Sequence, residues 1–439
     1  MVDSGESTNP RGGLRRTIDA VRAWLAAENF LRHGGYLFAA TALSSAGVYG
    51  FHLYASRRLG VAHYGSLASL LAAVAFVGAI STVGTTVVAR LAAGFHASGE
   101  TGRLRRLSDV LLWTCFAGLV GWGILALILC PQLSAFLHVT GPAAILLMAF
   151  LAAFTAFAAV VRGVLQGTQH FQEFSISYVI ENFGRATLGA AGILGGLGIV
   201  GALAGQLTAC TASAAYTALA VRRAFKSVPQ ELSLGVSMIV KTGGQISLAY
   251  FGLGALAYVD IVLAKHYLPS RQAGLYSAAT LPGRGVSMII AFLAPVILPK
   301  AAARTALRRS GGSLLFAGIA GAAAFATVPL VLFYLMPRQI VEAIGGVAYG
   351  AASPLVLPYG VAVTMLAFAN IAGSYRIGID RNEFALPLLL LVVAEIASIA
   401  FVHHSALQIV SVVLAADAGA LLVVLFRITR VRASLSSST

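Results

Sequence analysis

Eight ionisable side chains sit inside stretches that are otherwise almost wholly apolar: Arg162, Arg185, Lys241 and Arg284, with Glu181, Asp260, Glu395 and Asp417. At the middle of a bilayer such a charge costs about 2.5–3.5 kcal/mol by insertion scales, so it needs a partner, a watery space or a route to the interface. Two chemistries suit these residue types. Arginine offers a rigid planar fork that grips phosphate or carboxylate through paired N–H groups. Buried carboxylates take up a proton, or hold Na+ together with backbone carbonyls.

Arg185 lies four residues after Glu181, one helical turn away on the same face, where the two can pair. Either that pair is closed and merely orders its helix, or the arginine is held ready to grip an anion. Arg284 has no acidic neighbour at helical spacing, and an unpaired guanidinium there requires water or an anionic ligand. Arg162 stands one turn from the end of its stretch, close enough to snorkel or to join the same site. Lys241 is four residues into its own stretch and reaches the interface by snorkelling. Asp260 can pair with Lys265 or be hydrated. Glu395 and Asp417 fall near the middles of consecutive stretches. They can share a proton, bind Na+, or serve packing as protonated carboxyls.

Membrane helices must position these groups. The chain is 58% hydrophobic and 10% charged, whereas soluble domains carry about 25% charged residues. Twelve stretches approach the ~20 residues that cross a bilayer. Spans one to six are Tyr36–Ala55, Tyr64–Ala89, Val110–Cys130, Gly141–Leu165, Ser175–Gly195 and Ile199–Val221. Spans seven to twelve are Met238–Ala264, Leu275–Leu298, Ser313–Met336, Leu355–Ser374, Phe384–Phe401 and Ala406–Ile428. The second six repeat the punctuation of the first. Leu59-Gly60-Val61-Ala62-His63-Tyr64-Gly65 is answered 209 residues later by Leu268-Pro269-Ser270-Arg271-Gln272-Ala273-Gly274. Gly167 and Glu173-Phe174 are echoed by Gly378 and Glu383-Phe384. Repeated membrane halves are a common plan of secondary transporters.

Of the 30 Lys and Arg, 21 fall on one side of these spans and five (Arg57, Arg58, Lys265, Arg271 and Arg338) on the other. That bias predicts a multi-pass protein of the cytoplasmic membrane with both termini in the cytoplasm. The net charge of +15 is thus a topology signal rather than a nucleic-acid surface. The expected organisation is a cytoplasmic tail over 1–33, a six-helix lobe over 34–225, a linker over 226–237, a second lobe over 238–428 and a tail over 429–439. Within the first tail, Arg15–Leu31 reads as an amphipathic helix on the anionic leaflet, or as an extension of span one.

Other classes lack their residues. No Gly-x-x-x-x-Gly-Lys-Ser/Thr loop is present, so ATP-driven transport by this chain alone is not expected. Cys115, Cys130 and Cys210 show neither a disulfide framework nor metal-ligand spacing. No cofactor is expected beyond coupling to a Na+ or H+ gradient. The longest external stretch, Pro337 to Pro354, is too short for a catalytic domain, and no Asp-x-Asp motif occurs.

Four segments carry a resemblance. Ala55-Ser56-Arg57-Arg58-Leu59-Gly60-Val61-Ala62-His63-Tyr64-Gly65 resembles the first interhelical passage of oligosaccharide and polysaccharide flippases of the multidrug/oligosaccharidyl-lipid/polysaccharide exporter superfamily. Arg162 to Phe171 resembles the end of their fourth helix. Val259-Asp260-Ile261-Val262-Leu263-Ala264 with Ala273 to Ala279 is similar to their seventh-to-eighth helix passage, and Gly350 to Leu355 to the lead-in of their tenth. The resemblance runs from about Leu31 to Ile428. Lipid II flippases of this superfamily typically have fourteen helices, and the twelve here argue against that branch. Cation-exporting members often rely on an acid in the N-terminal lobe, where the only mid-span carboxylate of this chain is Glu181, beside Arg185.

The resemblance implies an all-α membrane protein of two six-helix lobes, V-shaped around a central cavity and working by alternating access. The expected cargo is a polyprenyl-diphosphate-linked oligosaccharide, flipped to the outer leaflet for cell-surface polysaccharide. Arg185, Arg284 and Arg162 would bind the diphosphate, Glu181 would be the ion-pair partner, and Asp260, Glu395 and Asp417 would couple an ion. The expected partners are that glycan, membrane lipids, and a polysaccharide polymerase or glycosyltransferases. The alternatives are an ion-coupled antiporter of a small organic solute, or a non-transporting scaffold or enzyme of polysaccharide assembly.

Overall fold

The computed structural model describes residues 28–139, 141–225, 236–291, 297, 312–379, 381 and 383–436. Among these are twelve α-helices and no strand. In chain order they are α1 (Glu28–Ala97), α2 (Thr101–Leu137), α3 (Pro142–Gly167), α4 (Phe171–Leu194), α5 (Gly198–Ala224), α6 (Val236–Tyr267) and α7 (Ser270–Ala291). Then follow α8 (Gly312–Leu335), the short α9 (Pro337–Gly345), a 3-10 turn (Val347–Ala352), α10 (Ser353–Gly378), α11 (Ala385–Phe401) and α12 (Ala406–Ser436). Residues 1–27, which hold most of the expected amphipathic helix, the linker residues 226–235 and the side chain of Lys241 lie outside the described residues.

Spans one and two form a single run with no loop between them. Gly60 breaks it at φ 72°, ψ 172°, a conformation that glycine alone adopts readily. Gly196 and Gly198, at φ 79° and 56°, make the tight turn between α4 and α5 in the same way. Elsewhere proline starts helices where its missing N–H costs nothing, as at Pro142 and Pro337.

Counting α1 as two, α1–α5 make one six-helix lobe; α6–α8 and α10–α12 make the other. The repeat in the sequence is a repeat in packing. α1 packs on α3 and α4, and α4 on α5. In the second lobe α7 packs on α10, α6 on α11, and α11 on α12. Gly167 and Gly378 end the fourth helix of their respective halves. In their most apolar windows α2 and α8 are each only 22% buried, against 61% for α10 with its leading turn. The first two therefore face lipid, with Trp113, Phe116, Phe316 and Val328 outward, and α10 is central.

Eight helices are long and apolar enough to cross a membrane, and α1 supplies two spans. α4, α7 and α11 complete the twelve. The first two are less apolar because they carry the charged residues that face inward, and α11 has only 17 residues.

Four local readings are corrected. The stretch Pro337 to Pro354 is not an open loop but α9 and the 3-10 turn. α12 continues helically through the basic residues to Ser436, beyond the boundary expected at 428. Lys265 is 3% exposed rather than a loop charge. Arg376, counted as a cytoplasmic topology charge, is 1% exposed and donates to the Val424 carbonyl (3.2 Å) and to Glu383 (2.8 Å).

The lobes meet at the Gly60 end. A Cβ on Gly65 would lie 2.7 Å from Gly274 Cα, and one on Gly274 would collide with the Val61 carbonyl. The two repeated motifs thus touch each other, glycine to glycine. Around them Ser56 Oγ donates to the Ile344 carbonyl (3.1 Å), and Arg57 donates to the carbonyls of Ala343 (2.5 Å) and Ile344 (3.3 Å) at the C-terminus of α9. Tyr349 donates to the Ser56 carbonyl (3.0 Å), and His266 stacks on Phe136 at 4.1 Å. Midway, Phe76 meets Phe251 at 5.5 Å. At the opposite end a separate small core of Val88, Leu104, Leu107, Val161, Leu165 and Val221 belongs to the first lobe only.

Candidate functional site

In the first lobe the site begins on α4, where Tyr178, Glu181 and Arg185 follow at helical spacing. Arg162 reaches across from the last turns of α3. Its Nη2 lies 2.6 Å from Glu181 Oε2, while Arg185 Nη1 stands 3.8 Å from Oε1. The pairing of Glu181 with Arg185 expected from helical spacing is present, and Arg162, from another helix, is a second and closer partner. Buried at 6% side-chain exposure and lying 5.5 Å over the Tyr178 ring, Arg162 is enclosed. Arg185 is 19% exposed and leans on Gln206, whose Oε1 is 3.4 Å from both Nε and Nη2. Arg162 Nη1 has no hydrogen-bond partner among the described residues but is enclosed, whereas Arg185 stands at a more open edge.

In the second lobe Arg284 stands between two glycines of α7, just after Pro282. Each glycine admits a neighbour. A Cβ on Gly283 would come within 3.0 Å of Tyr359 from α10, and one on Gly285 within 2.6 Å of the Tyr49 hydroxyl from α1. Tyr49 also donates to the Leu281 carbonyl (3.2 Å), so the first lobe reaches into the Arg284 site. Arg284 Nη2 donates to the Ala257 carbonyl (2.8 Å), its guanidinium lies 4.5 Å over the Tyr258 ring, and Nε has no hydrogen-bond partner. Among the described residues no carboxylate lies within ion-pair distance of it.

The carboxylates of this lobe stand apart. Asp260 does not pair with Lys265: its Oδ2 accepts from Tyr276 (2.7 Å), and Lys265 donates to Ser270 (3.5 Å). Glu395 and Asp417 are 2% and 1% exposed, and among the described residues neither carboxylate has a hydrogen-bond partner. No cluster of three or more metal-ligating side chains occurs among the described residues, so a bound cation would need backbone carbonyls besides.

Sequence reasoning missed His52. It lies on α1, half-buried, with Nδ1 3.2 Å from the Tyr64 hydroxyl, one turn after Tyr49, which bonds beside Arg284. A signal existed. Tyr49 and His52 are one turn apart in an otherwise apolar span, on one face of the helix.

By sequence, no curated protein matches the chain. Solved structures share its fold. An inward-facing multidrug resistance MATE family transporter of the MOP superfamily superposes with a TM-score of 0.73 at 14% identity, covering 91% of this chain and 96% of that one. The outward-facing conformation of such a transporter gives 0.64 at 14% identity, covering 92% and 96%. The lipid II flippase MurJ, in an inward closed conformation, gives 0.68 at 13% identity, covering 91% and 87%. Residues 30–303 match a family described as polysaccharide biosynthesis protein. That is more than half of the chain, and the chain belongs to this family.

Proposed function

We propose that this protein is a flippase that carries a polyprenyl-diphosphate-linked oligosaccharide from the inner to the outer leaflet of the cytoplasmic membrane. The observation that carries the reading is the pair Arg185 and Arg284. One comes from each lobe; Arg284 has no carboxylate at ion-pair distance among the described residues, and Glu181, 3.8 Å from Arg185, is held more closely by Arg162 at 2.6 Å. A diphosphate is a dianionic group that forked donors from two sides would hold until the lobes rock past one another. Arg162 is a structural partner of Glu181 in this reading rather than a substrate ligand. Asp260, Glu395 and Asp417 are the coupling groups for H+ or Na+, and the glycan's polymerase or glycosyltransferases are the expected partners.

The charge bias puts the closed Gly60 end outside and both termini in the cytoplasm, so this conformation would accept cargo from the cytoplasmic leaflet. Cysteines at Ser4 and Ser438 should resist impermeant reagents in intact cells, and one at Gln339 should react. Labelling of both termini from outside would reverse the assignment. For the cargo, Arg284→Ala should abolish glycan export with the protein inserted and monodisperse, and Arg284→Lys should recover only part of it. Full export by the alanine variant would overturn the reading.

A further inference from the structure

His52 has two ring nitrogens and only one described partner. Nδ1 meets the Tyr64 hydroxyl at 3.2 Å, and Nε2 has no hydrogen bond among the described residues. Its neighbour Phe51 and Gln206, the partner of Arg185, both come within 3.0 Å of a Cβ built on Gly189. Tyr49, one turn earlier on the same helix, hydrogen-bonds beside Arg284. This face of α1 therefore lies against the arginine site.

Its other nitrogen points toward the seal. Tyr64 is fully buried, meets Tyr349 edge-on at 6.3 Å, and directly precedes Gly65, which abuts Gly274 of the other lobe. Tyr349 in turn donates to the Ser56 carbonyl, and Ser56 Oγ to the Ile344 carbonyl. A continuous path of contacts thus runs from His52 to the surface where the lobes close. Two glycines in contact leave no slack there: a displaced Tyr64 is felt at once by the opposing backbone.

We propose that His52 is a third ligand of the anionic group held by Arg185 and Arg284, and that through Tyr64 it passes the occupancy of that site to the inter-lobe seal. This rests on the flippase reading for the presence of an anion. Nε2 donates to the anion while Nδ1 accepts the Tyr64 hydroxyl, so a ring drawn toward the ligand draws Tyr64 with it. His52 is then a binding residue, and Tyr64 a positioning one.

The test uses purified full-length protein, farnesyl diphosphate as the probe and farnesol as its uncharged control. Spin labels at His63 and Gln272, both exposed and on opposite lobes beside the seal, report its opening. Wild type should bind the diphosphate over farnesol and lengthen the label distance on binding. His52→Phe should weaken binding about tenfold or more, the worth of a hydrogen bond to a charged group. His52→Gln keeps a donor of similar reach and should bind near wild-type strength, which separates a hydrogen bond from mere packing and carries the test if the Phe variant misfolds. Tyr64→Phe should bind within about twofold of wild type, since it loses no contact to the anion, yet show no lengthening. Unchanged binding in His52→Phe, binding lost equally in His52→Gln, or normal lengthening in Tyr64→Phe overturns the inference alone. Wild type that does not prefer the diphosphate to farnesol overturns the anion site as well.

Discussion

The fifth helices of the two lobes occupy equivalent places and carry opposite charges at one slot. Twelve residues after Glu173 stands Arg185, and twelve residues after its counterpart Glu383 stands Glu395. The surroundings differ in kind as well. The first lobe holds Glu181 between two arginines, at 2.6 and 3.8 Å. The second leaves Arg284 on a carbonyl and an aromatic ring, and buries Asp260, Glu395 and Asp417 with no basic partner at ion-pair distance among the described residues. The difference teaches that the repeat governs helix placement and close approach, while charge is free to diverge slot by slot. In the proposed reading each lobe supplies one arginine to the anion, and only the second adds buried carboxylates that would take up a cation.

The sharpest break in that comparison is expected at Arg162. If it is the structural partner of Glu181, Arg162→Ala strands a buried carboxylate and should cost about 3–5 kcal/mol. Replacing both Arg162 and Glu181 with apolar residues of similar volume should restore most of the stability and leave glycan export intact. Thermal unfolding and export on the single and double variants decide it. A stable double variant without export would return Arg162 to the substrate site.

The reversed slot itself is tested next. Arg185→Ala leaves Glu181 its closer partner, so stability should hardly change, whereas export should fall about ten- to a hundredfold, the worth of a charge-assisted contact. Glu395→Gln should do the converse: farnesyl diphosphate binding stays as in wild type, and the dependence of export on the ion gradient is lost. A Gln variant that loses diphosphate binding while keeping its ion dependence would mean that the two charges serve one ligand, not two.

Much of this comparison was visible in the sequence, and the reason is physical. Spans announce themselves because lipid demands uninterrupted apolar runs, and the repeat shows in glycines that only a break or a close approach requires. Gly60, Gly65 and Gly274 all proved to be such points. Charges inside spans were equally plain, because their cost marks them. What spacing could not give was the partner. Helical periodicity pairs Glu181 with Arg185, one turn away, but the closer guanidinium comes from another helix, and such contacts leave no trace in a single chain's periodicity. Arg376 was misread for the same reason. It lies beside a turn and counts as a loop charge, yet it is enclosed by α12 and Glu383. His52 was missed because a neutral polar ring carries no mark of cost.

The place where the two halves touch offers a smaller test of whether they are mechanically equivalent. A methyl on Gly274 would collide with the Val61 carbonyl, so Gly274→Ala should cost the sealed state about 1–3 kcal/mol through overpacking. The His63–Gln272 label distance should then lengthen without ligand, and Gly65→Ala should act in the same direction. An unchanged distance in both variants would show that the glycine contact is not the seal.

The smallest expected effect lies where the lobes differ at their fourth-to-fifth helix turns. Glu383 binds Arg376 at 2.8 Å, while the residue 211 positions before Arg376 is Leu165, wholly buried in the first lobe's small core. One lobe closes this turn with an ion pair, the other with apolar packing. The Glu383 carboxyl is held below the usual carboxylate range, chiefly by its own backbone N–H; burial opposes this, and the Arg376 guanidinium and Arg381 add to the lowering. A lowered folded-state value means stability that is present above the unfolded carboxyl value of about 4.3 and lost as pH falls through the folded one. The Glu383 side chain is 50% exposed, so solvent screening limits the contribution to about 1 kcal/mol or less. Glu383→Gln should therefore unfold slightly earlier than wild type near pH 7, and the two should converge as pH falls below about 4. Melting curves across that range measure it. Parallel curves with a constant gap would mean that Arg376 is held by the Val424 carbonyl and its other neighbours, with the carboxylate adding nothing, and the two turns would then be alike in resting on packing.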